Sequence, residues 1–477
     1  MQKAAITAEE GGLRHEERGC KRLGVLPQPL REPPRRESLV TGNYLFKKAS
    51  VRHSERSEES QGLHPQPAPK APSSGAQPVP PPRSGDIFLY LCMRYALFIV
   101  FLAVLPGRFY SQTASTPPGS GTSGDPYRID NLSNLFWIAQ EVMNSSNSFP
   151  GIFFVQTADI DASPTAGWYP DGNGNFLGWI PIGVNDASMA SGKLFSGNYD
   201  GGNFCIRGLV CNRPAASYLG LFGYVMNAGI SRVCMEATSI TGSAFLATLA
   251  GYASYTNISH CKINGNVNGT GQYVGGLAGN VLNSSLIEAC SFQGTISGSY
   301  RIGTFVGSSS ASMIRNCYAR GNTNSNTAGN VIVGGFIGYS QSSTISNCYT
   351  TASVYFQGIT NLINKGFIGS SSSNTSTGNF VDTLASNQST AIGAGSSTTE
   401  LLLNRDTYLS AGWDLSFELS NGSSDFWSLS YSDNDGYPNL EGIQVLRWNG
   451  SQSTDWNDPL NWTPNGIPTS KTDVIIP

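Results

Sequence analysis

Few residues in this chain are equipped for chemistry. Only 13% of its 477 residues are charged. Beyond residue 93 there is a single histidine, His260, and it directly precedes Cys261. A thiol activated by imidazole is a nucleophile. Neighbours on a strand point to opposite faces, however, so these two are expected not to meet, with His260 facing solvent. Glu236 and Glu288 are two repeats apart. At equivalent positions in stacked layers they would be ~9.6 Å apart, a spacing that suits an inverting glycoside hydrolase; the plainer expectation is two solvent-facing glutamates. "DGNGN" (Asp171–Asn175) and "SDNDG" (Ser432–Gly436) space oxygens as calcium loops do. Both lack the terminal bidentate glutamate of the twelve-residue pattern, and Asx-rich turns are expected there. The sequence contains no H-E-x-x-H, G-x-S-x-G or G-x-x-x-x-G-K-[ST]. The expectation is no catalytic residue, no cofactor and no metal, with calcium as the weaker alternative.

These residues sit in a repeat. "YLGLFGYVMNAGISRVCMEA" starts at Tyr218, "VGGLAGNVLNSSLIEACSF" at Val274 and "VGGFIGYSQSSTISNCYTTA" at Val333, with related copies between and after them. The closing glycines are Gly223, Gly251, Gly279, Gly307, Gly338 and Gly369, spaced 28, 28, 28, 31 and 31. Cys234, Cys261, Cys290, Cys317 and Cys348 follow five of them by 11, 10, 11, 10 and 10. A period near 30 without a helical pattern means a solenoid of strands. Each unit has two short apolar runs and glycines suited to corners or close backbone approach. The fold expected is all-β: a parallel β-helix of 28–31-residue coils, right-handed.

The cysteines then read as one five-rung interior ladder, continued by Asn379 or Phe380, because buried thiols behave as small apolar groups. Seven cysteines lie beyond residue 93, an odd number that argues against a complete disulfide framework. Cys205 and Cys211 either form a local bridge or both pack inward. Tyr218, Tyr252, Tyr255, Tyr273, Tyr300, Tyr318, Tyr339, Tyr349 and Tyr355 recur through the coils. On an outer face they could hold glycans through rings and hydroxyls; Tyr318 and Tyr349 share one repeat position and suit a supporting stack.

"GGLAG", "GTFVG" and "GGFIG", followed by "NCY", resemble the GLUG repeat of bacterial secreted and surface proteins. The approach "DPYRIDNLSNLFWIAQEVM" and "SGNYDGGNF" and the exit "GWDLSF…NDGYPNLEGI" also resemble the flanks of such repeats, so the likeness covers roughly 125–445. It implies a β-solenoid on an exported protein, begun by a short capping helix near Asn131–Met143, and no single activity. Leu132, Leu135, Phe136 and Val142 fall on one face of that helix. Some proteins with these repeats resemble zinc peptidases that cleave immunoglobulin A; the zinc motif they need is not in these 477 residues.

The ends read differently. Residues 1–94 carry 15 basic and 10 acidic residues, and 95–477 carry 14 and 22. Proline clusters and "RHSERSEES" make 1–92 a disordered or upstream extension. Met93-Arg94 and apolar Tyr95–Leu105 read as a signal peptide over 93–114. The rest divides into a cap with first coils (125–217), GLUG-type repeats (218–384) and the solenoid end (385–445). Residues 446–477 resemble the start of a β-module in surface proteins of Bacteroidetes-type bacteria. The function expected is a non-catalytic, secreted or cell-surface adhesin, stalk or binding scaffold. Its partners would be glycans or host-surface proteins, with no nucleic acid and no membrane span after the signal. The alternative is the binding region of a larger secreted peptidase or polysaccharide-degrading enzyme.

Overall fold

Every repeat closes one coil, and the coils stack in register. A computed structural model describes residues 112–477 apart from 146, 185–192, 328–330, 358–363, 417–424, 431–432, 442–444, 464–467, 469–472 and 476–477. The expected extension 1–92 and nearly all of the signal peptide lie outside the described residues.

Three parallel sheets wrap the core. The first has six strands: Phe222–Met226, Ala250–Ser254, Ala278–Leu282, Val306–Ser310, Ile337–Gln341 and Ile368–Ser372. The second has nine short strands, from Tyr127–Ile129 to Thr375–Thr377. The third has eleven, from Ile160–Asp161 to Gly395–Ser397. A short corner sheet (Gln272–Gly275, Tyr300–Gly303, Val333–Gly334) leads each coil back to the first.

Like residues stack on like because the register is kept. Ile230, Ile258, Ile287, Ile314 and Ile345 pair in sequence along the second sheet, and all are buried. Phe305, Phe336 and Phe367 stack with ring centroids 4.7 and 4.8 Å apart. Each fully buried side chain of this kind contributes about 1.5–3 kcal/mol, and none could be buried by one coil alone.

The six landmark glycines lie in the first sheet, where successive backbones nearly touch. A β-carbon on Gly279, Gly307, Gly338 or Gly369 would sit 2.5–2.6 Å from the carbonyl oxygen of the preceding glycine. Their backbone is not left-handed. The corners that are left-handed carry other residues, Arg232, His260, Ala289, Asn316 and Asn347 among them. The glycines therefore serve close approach, not corner geometry.

The helix Leu132–Ser145 starts on Asn131, whose Oδ1 accepts from the Asn134 amide (2.9 Å). Its buried face holds Leu135, Phe136, Ile138, Ala139 and Val142, and Phe136 packs on Trp168 at 4.9 Å. At the other end the chain does more than close the solenoid. Residues 398–440 include two short helices, Thr399–Leu402 and Arg405–Ser410, and an antiparallel pair, Trp427–Ser428 with Asn439–Leu440. This strap buries Trp413, Trp427 and Tyr437 against Tyr318 and Tyr349 of the third sheet, forming a second core. Residues 445–475 add a three-stranded sheet in which Trp462 lies 4.5 Å from Trp456 and 5.0 Å from Trp448.

Gly279→Ala or Gly307→Ala is expected to cost at least about 2–3 kcal/mol, read from the urea midpoint. Gly124→Ala, with nothing near its β-carbon, should stay within about 0.5 kcal/mol.

Candidate functional site

The cysteines form a corner device. Cys261, Cys290, Cys317 and Cys348 occupy equivalent turns between the second and third sheets and are fully buried. The Cys261 amide donates to Cys290 Sγ (3.4 Å), the Cys290 amide to Cys317 Sγ (3.5 Å), and the Cys348 amide to Asn379 Oδ1 (3.0 Å). Each thiol in turn donates to the carbonyl two residues back, as Cys290 does to Glu288 (3.1 Å) and Cys317 to Arg315 (3.0 Å). Asn379, not Phe380, ends the ladder, and its Nδ2 donates to Ile345 and Gly393 carbonyls.

Cys234 is not a rung. It pairs with Lys262, not Cys261, and is bridged to Cys205 of the preceding coil. Neither a Cys205–Cys211 bridge nor a five-cysteine ladder forms: Cys211 is free and buried, and Val233 precedes Cys234 as a buried residue. Cys205, Cys234 and Glu236 bring possible metal ligands within 4.8 Å, but both sulfurs are committed to the disulfide and Glu236 to Arg207 (2.7 Å).

His260 sits half-buried on a left-handed corner. Its amide bonds the Glu288 carbonyl (3.1 Å), while the Cys261 thiol donates to Ser259 O (3.3 Å). The two side chains are not joined in a dyad. Burial pushes the Cys211 thiol up to about 12 and the thiols of Cys261, Cys290 and Cys317 well above their ordinary value, the opposite of what an activated thiol needs.

The two glutamates do not face each other either. Glu236 lies in the third sheet and Glu288 in the second, so their positions are not equivalent, and Glu288 is held by Arg315 (2.5 Å). In "DGNGN", Asp171 Oδ1 accepts from the Asn173 and Asn175 amides (2.7 and 3.0 Å), and these bonds hold its carboxyl below the usual range. In the second loop Asp435 pairs with Arg320 (2.6 Å). Asp171 and Asp435 thus spend their carboxylates within the protein.

The tyrosines divide into three groups. Tyr318 and Tyr349 stack at 5.1 Å under the strap and are buried. Tyr255 and Tyr355 stand alone, 54% and 55% exposed. The remainder form a half-exposed strip along the first sheet and its entering corner. Tyr218, Phe245 and Tyr273 hold the corner in successive coils, each with positive φ. Their rings lie flat on one another at 4.5 Å, inclined by 8° and 14°. In the next coil the position is Arg301, whose guanidinium lies over Tyr273 (5.1 Å), Tyr300 (5.6 Å) and Tyr339 (4.3 Å) and donates to the Tyr273 hydroxyl (2.9 Å). Beside this column runs a second one, Tyr224, Tyr252, Asn280, Ser308 and Tyr339 in register. Tyr224 meets Tyr252 edge-on at 4.8 Å. The corner rings spend their faces on each other, so the strip presents edges, hydroxyls and one guanidinium.

Tyr224, Phe245 and Arg301 were absent from the tyrosine reading. The signal for the last two was present: Tyr218, Phe245, Tyr273 and Arg301 precede their closing glycines by 5, 6, 6 and 6 residues, an offset as regular as that of the cysteines.

Comparisons with known proteins agree with this architecture. Segments 270–297 and 329–355 match the family model of the GLUG motif, so the chain carries that repeat. Over 175 residues it is 35% identical to Halomucin of Haloquadratum walsbyi, covering 36% of this chain and 2% of that protein. Over 143 residues it is 29% identical to a provisionally named Gly-rich membrane protein of Evansella cellulosilytica, covering 30% of this chain and 14% of that one. The chain thus spans a small fraction of the length of these relatives. A solved structure of a provisionally named immunoglobulin A1 protease from Bacteroides ovatus aligns over 68% of this chain and 94% of its own, with 18% identity and a TM-score of 0.43. No helix among the described residues is long and apolar enough to cross a membrane.

Thiol labelling mapped by mass spectrometry should mark Cys211, Cys261, Cys290, Cys317 and Cys348 only in denaturant, and Cys205 and Cys234 only in denaturant with reductant. Labelling of native Cys290 within minutes would restore it as a reactive group. A pH dependence follows from the same burial. Unfolded thiols ionise near 8.5, whereas the buried thiols of Cys211, Cys261, Cys290 and Cys317 are held above that. The stability these four hold is full below that pH and declines above it, by on the order of 1 kcal/mol per thiol at pH 9.5. The urea midpoint should therefore fall between pH 7.5 and 9.5; a flat midpoint would show that the thiols are already wet.

Proposed function

We propose that this chain is an exported, non-catalytic β-solenoid displayed at a cell surface as an adhesin or binding scaffold. Its ligand surface is the strip of Tyr218, Phe245, Tyr273 and Arg301 with Tyr224, Tyr252 and Tyr339, and the ligand is a glycan. The observation that carries this reading is the strip itself. Six aromatic side chains and a guanidinium are gathered on consecutive coils and left half-exposed, with hydroxyls, ring edges and the guanidinium facing outward beyond what ring stacking needs. Tyrosine and arginine are the residues that supply rigid contact area and directed hydrogen bonds at recognition surfaces.

Other features support the reading. The buried thiols and the carboxylates of Glu236, Glu288, Asp171 and Asp435 are each engaged within the protein, and His260 is not paired with the thiol beside it. The mucin-like and membrane-protein names of the two relatives suit a surface location, and the signal-peptide pattern at 93–114 fits export. The polar columns of the third sheet bond to one another, as Ser297 does to Asn268 (2.9 Å) and Ser353 to Asn322 (2.6 Å), which leaves them less free to hold a ligand.

The test is a glycan array of neutral and acidic saccharides, probed with the whole chain and with Tyr252→Ala and Tyr224→Phe/Tyr252→Phe variants. The chain should bind a defined subset, and Tyr252→Ala should weaken that binding at least tenfold, about 1.4 kcal/mol, with an unchanged melting profile. A silent array, or binding indifferent to both variants, contradicts the proposal.

A further inference from the structure

Arg301 stands apart from the other arginines of the coils. Arg207 is paired with Asp159 (2.8 Å) and Glu236 (2.7 Å), Arg232 with Asp200, Arg315 with Glu288 (2.5 Å) and Arg320 with Asp435 (2.6 Å). Among the described residues Arg301 has no carboxylate within ion-pair distance. Its guanidinium makes one hydrogen bond, from Nη1 to the Tyr273 hydroxyl; its Nε is buried without a hydrogen-bond partner, as are those of Arg315 and Arg320. Asn280, in the adjacent column, also leaves its Oδ1 buried and unpartnered. Residues 95–477 carry an acidic excess; those four arginines have acidic partners, and Arg213 spends its guanidinium on the Gly178 and Trp179 carbonyls and the Tyr169 ring, whereas Arg301, among the described residues, has neither a carboxylate nor a carbonyl. A guanidinium held between aromatic rings is fixed in direction and cannot swing away to find a counter-ion. An arginine with this geometry is suited to bidentate recognition of a carboxylate.

We infer that the strip selects glycans bearing a carboxylate on the sugar. The carboxylate pairs with Arg301 while neighbouring sugar hydroxyls bond the hydroxyls of Tyr218, Tyr273, Tyr224 and Tyr252. This rests on the strip being the glycan surface. A peptide carboxylate is less suited, because tight protein partners anchor an aromatic or apolar side chain in a pocket, and here the ring faces that would line one are stacked on each other. Two sources offer the same chemistry: internal uronic acids of a polysaccharide chain, and a terminal sialic acid.

The experiment is isothermal titration of the whole chain with three probes: hexagalacturonate, its fully methyl-esterified form and 3′-sialyllactose. A carboxylated probe should bind at least tenfold more tightly than the ester. Preference for hexagalacturonate identifies an internal uronate, and preference for sialyllactose a terminal acid. Arg301→Gln should erase the preference for acid over ester, the two probes being compared on the same variant. Arg301→Lys should retain part of the preference, since it keeps the charge and loses the fork. If acid and ester bind equally, if neither acid binds, or if Arg301→Gln keeps the preference, the inference is overturned. In the second of these cases a positive array that depends on Tyr252 would still uphold the strip as a glycan surface, so the two proposals fail separately.

Discussion

The structure depends on how a coil satisfies the backbone amides at its own corners. Strand amides have partners in the neighbouring coil, but a turn between two sheets leaves one without. Here the next coil supplies a side chain. Cysteine sulfur accepts at one corner, while at the preceding corner the Thr256 amide takes Ser285 Oγ (3.1 Å), the Ser312 amide takes Ser343 Oγ (3.3 Å) and the Ser343 amide takes Asn374 Oδ1 (2.9 Å). An unsatisfied buried amide costs about 1–3 kcal/mol, so the device matters at each corner that carries it. Both ladders end on an asparagine, Asn374 and Asn379, whose amide nitrogen also reaches a carbonyl of the coil before it. The thiols are thus hydrogen-bonding corner posts, and their burial keeps them unreactive.

In-register stacking has a second consequence on the outside. Gly279 and its equivalents bring the first-sheet backbones together, and the register they permit sets outward residues in columns one coil apart. A column of aromatic residues then becomes a pile of rings at 4.5 Å, and a single arginine in that column is captured by its neighbours. The aromatic strip follows from the same constraint that builds the core. The strap acts on a different sheet: Tyr318 and Tyr349 belong to the third sheet and are covered by Trp413 and Trp427, so they serve stability.

The repeat was legible because period and landmark are local. The rungs were less so. Cys234 and Cys290 both follow their glycine by 11 residues, yet only Cys290 is a rung. In its coil the extra residue is absorbed at the turn, where Asn283 and Ser284 both adopt positive φ; the coil of Cys234 has Asn227 alone at that turn, and the cysteine falls one place beyond. Glu236 and Glu288 follow their glycines by 13 and 9 residues, so counting alone separates them. The covering of Tyr318 was beyond the sequence, because its partner Asn439 is 121 residues away and nothing in the repeat announces it. The Cys205–Cys234 bridge was hidden for a related reason: it joins a residue before the regular repeats to one inside them.

The most direct measurement is nitration of tyrosines, mapped by mass spectrometry, with and without the saccharide that binds most tightly on the array. The account predicts that Tyr218, Tyr224, Tyr252, Tyr273 and Tyr339 lose reactivity when the saccharide is bound, that Tyr255 and Tyr355 do not change, and that Tyr318 and Tyr349 are unreactive throughout. Protection of Tyr255 or Tyr355 with the strip still reactive at saturating ligand would contradict it.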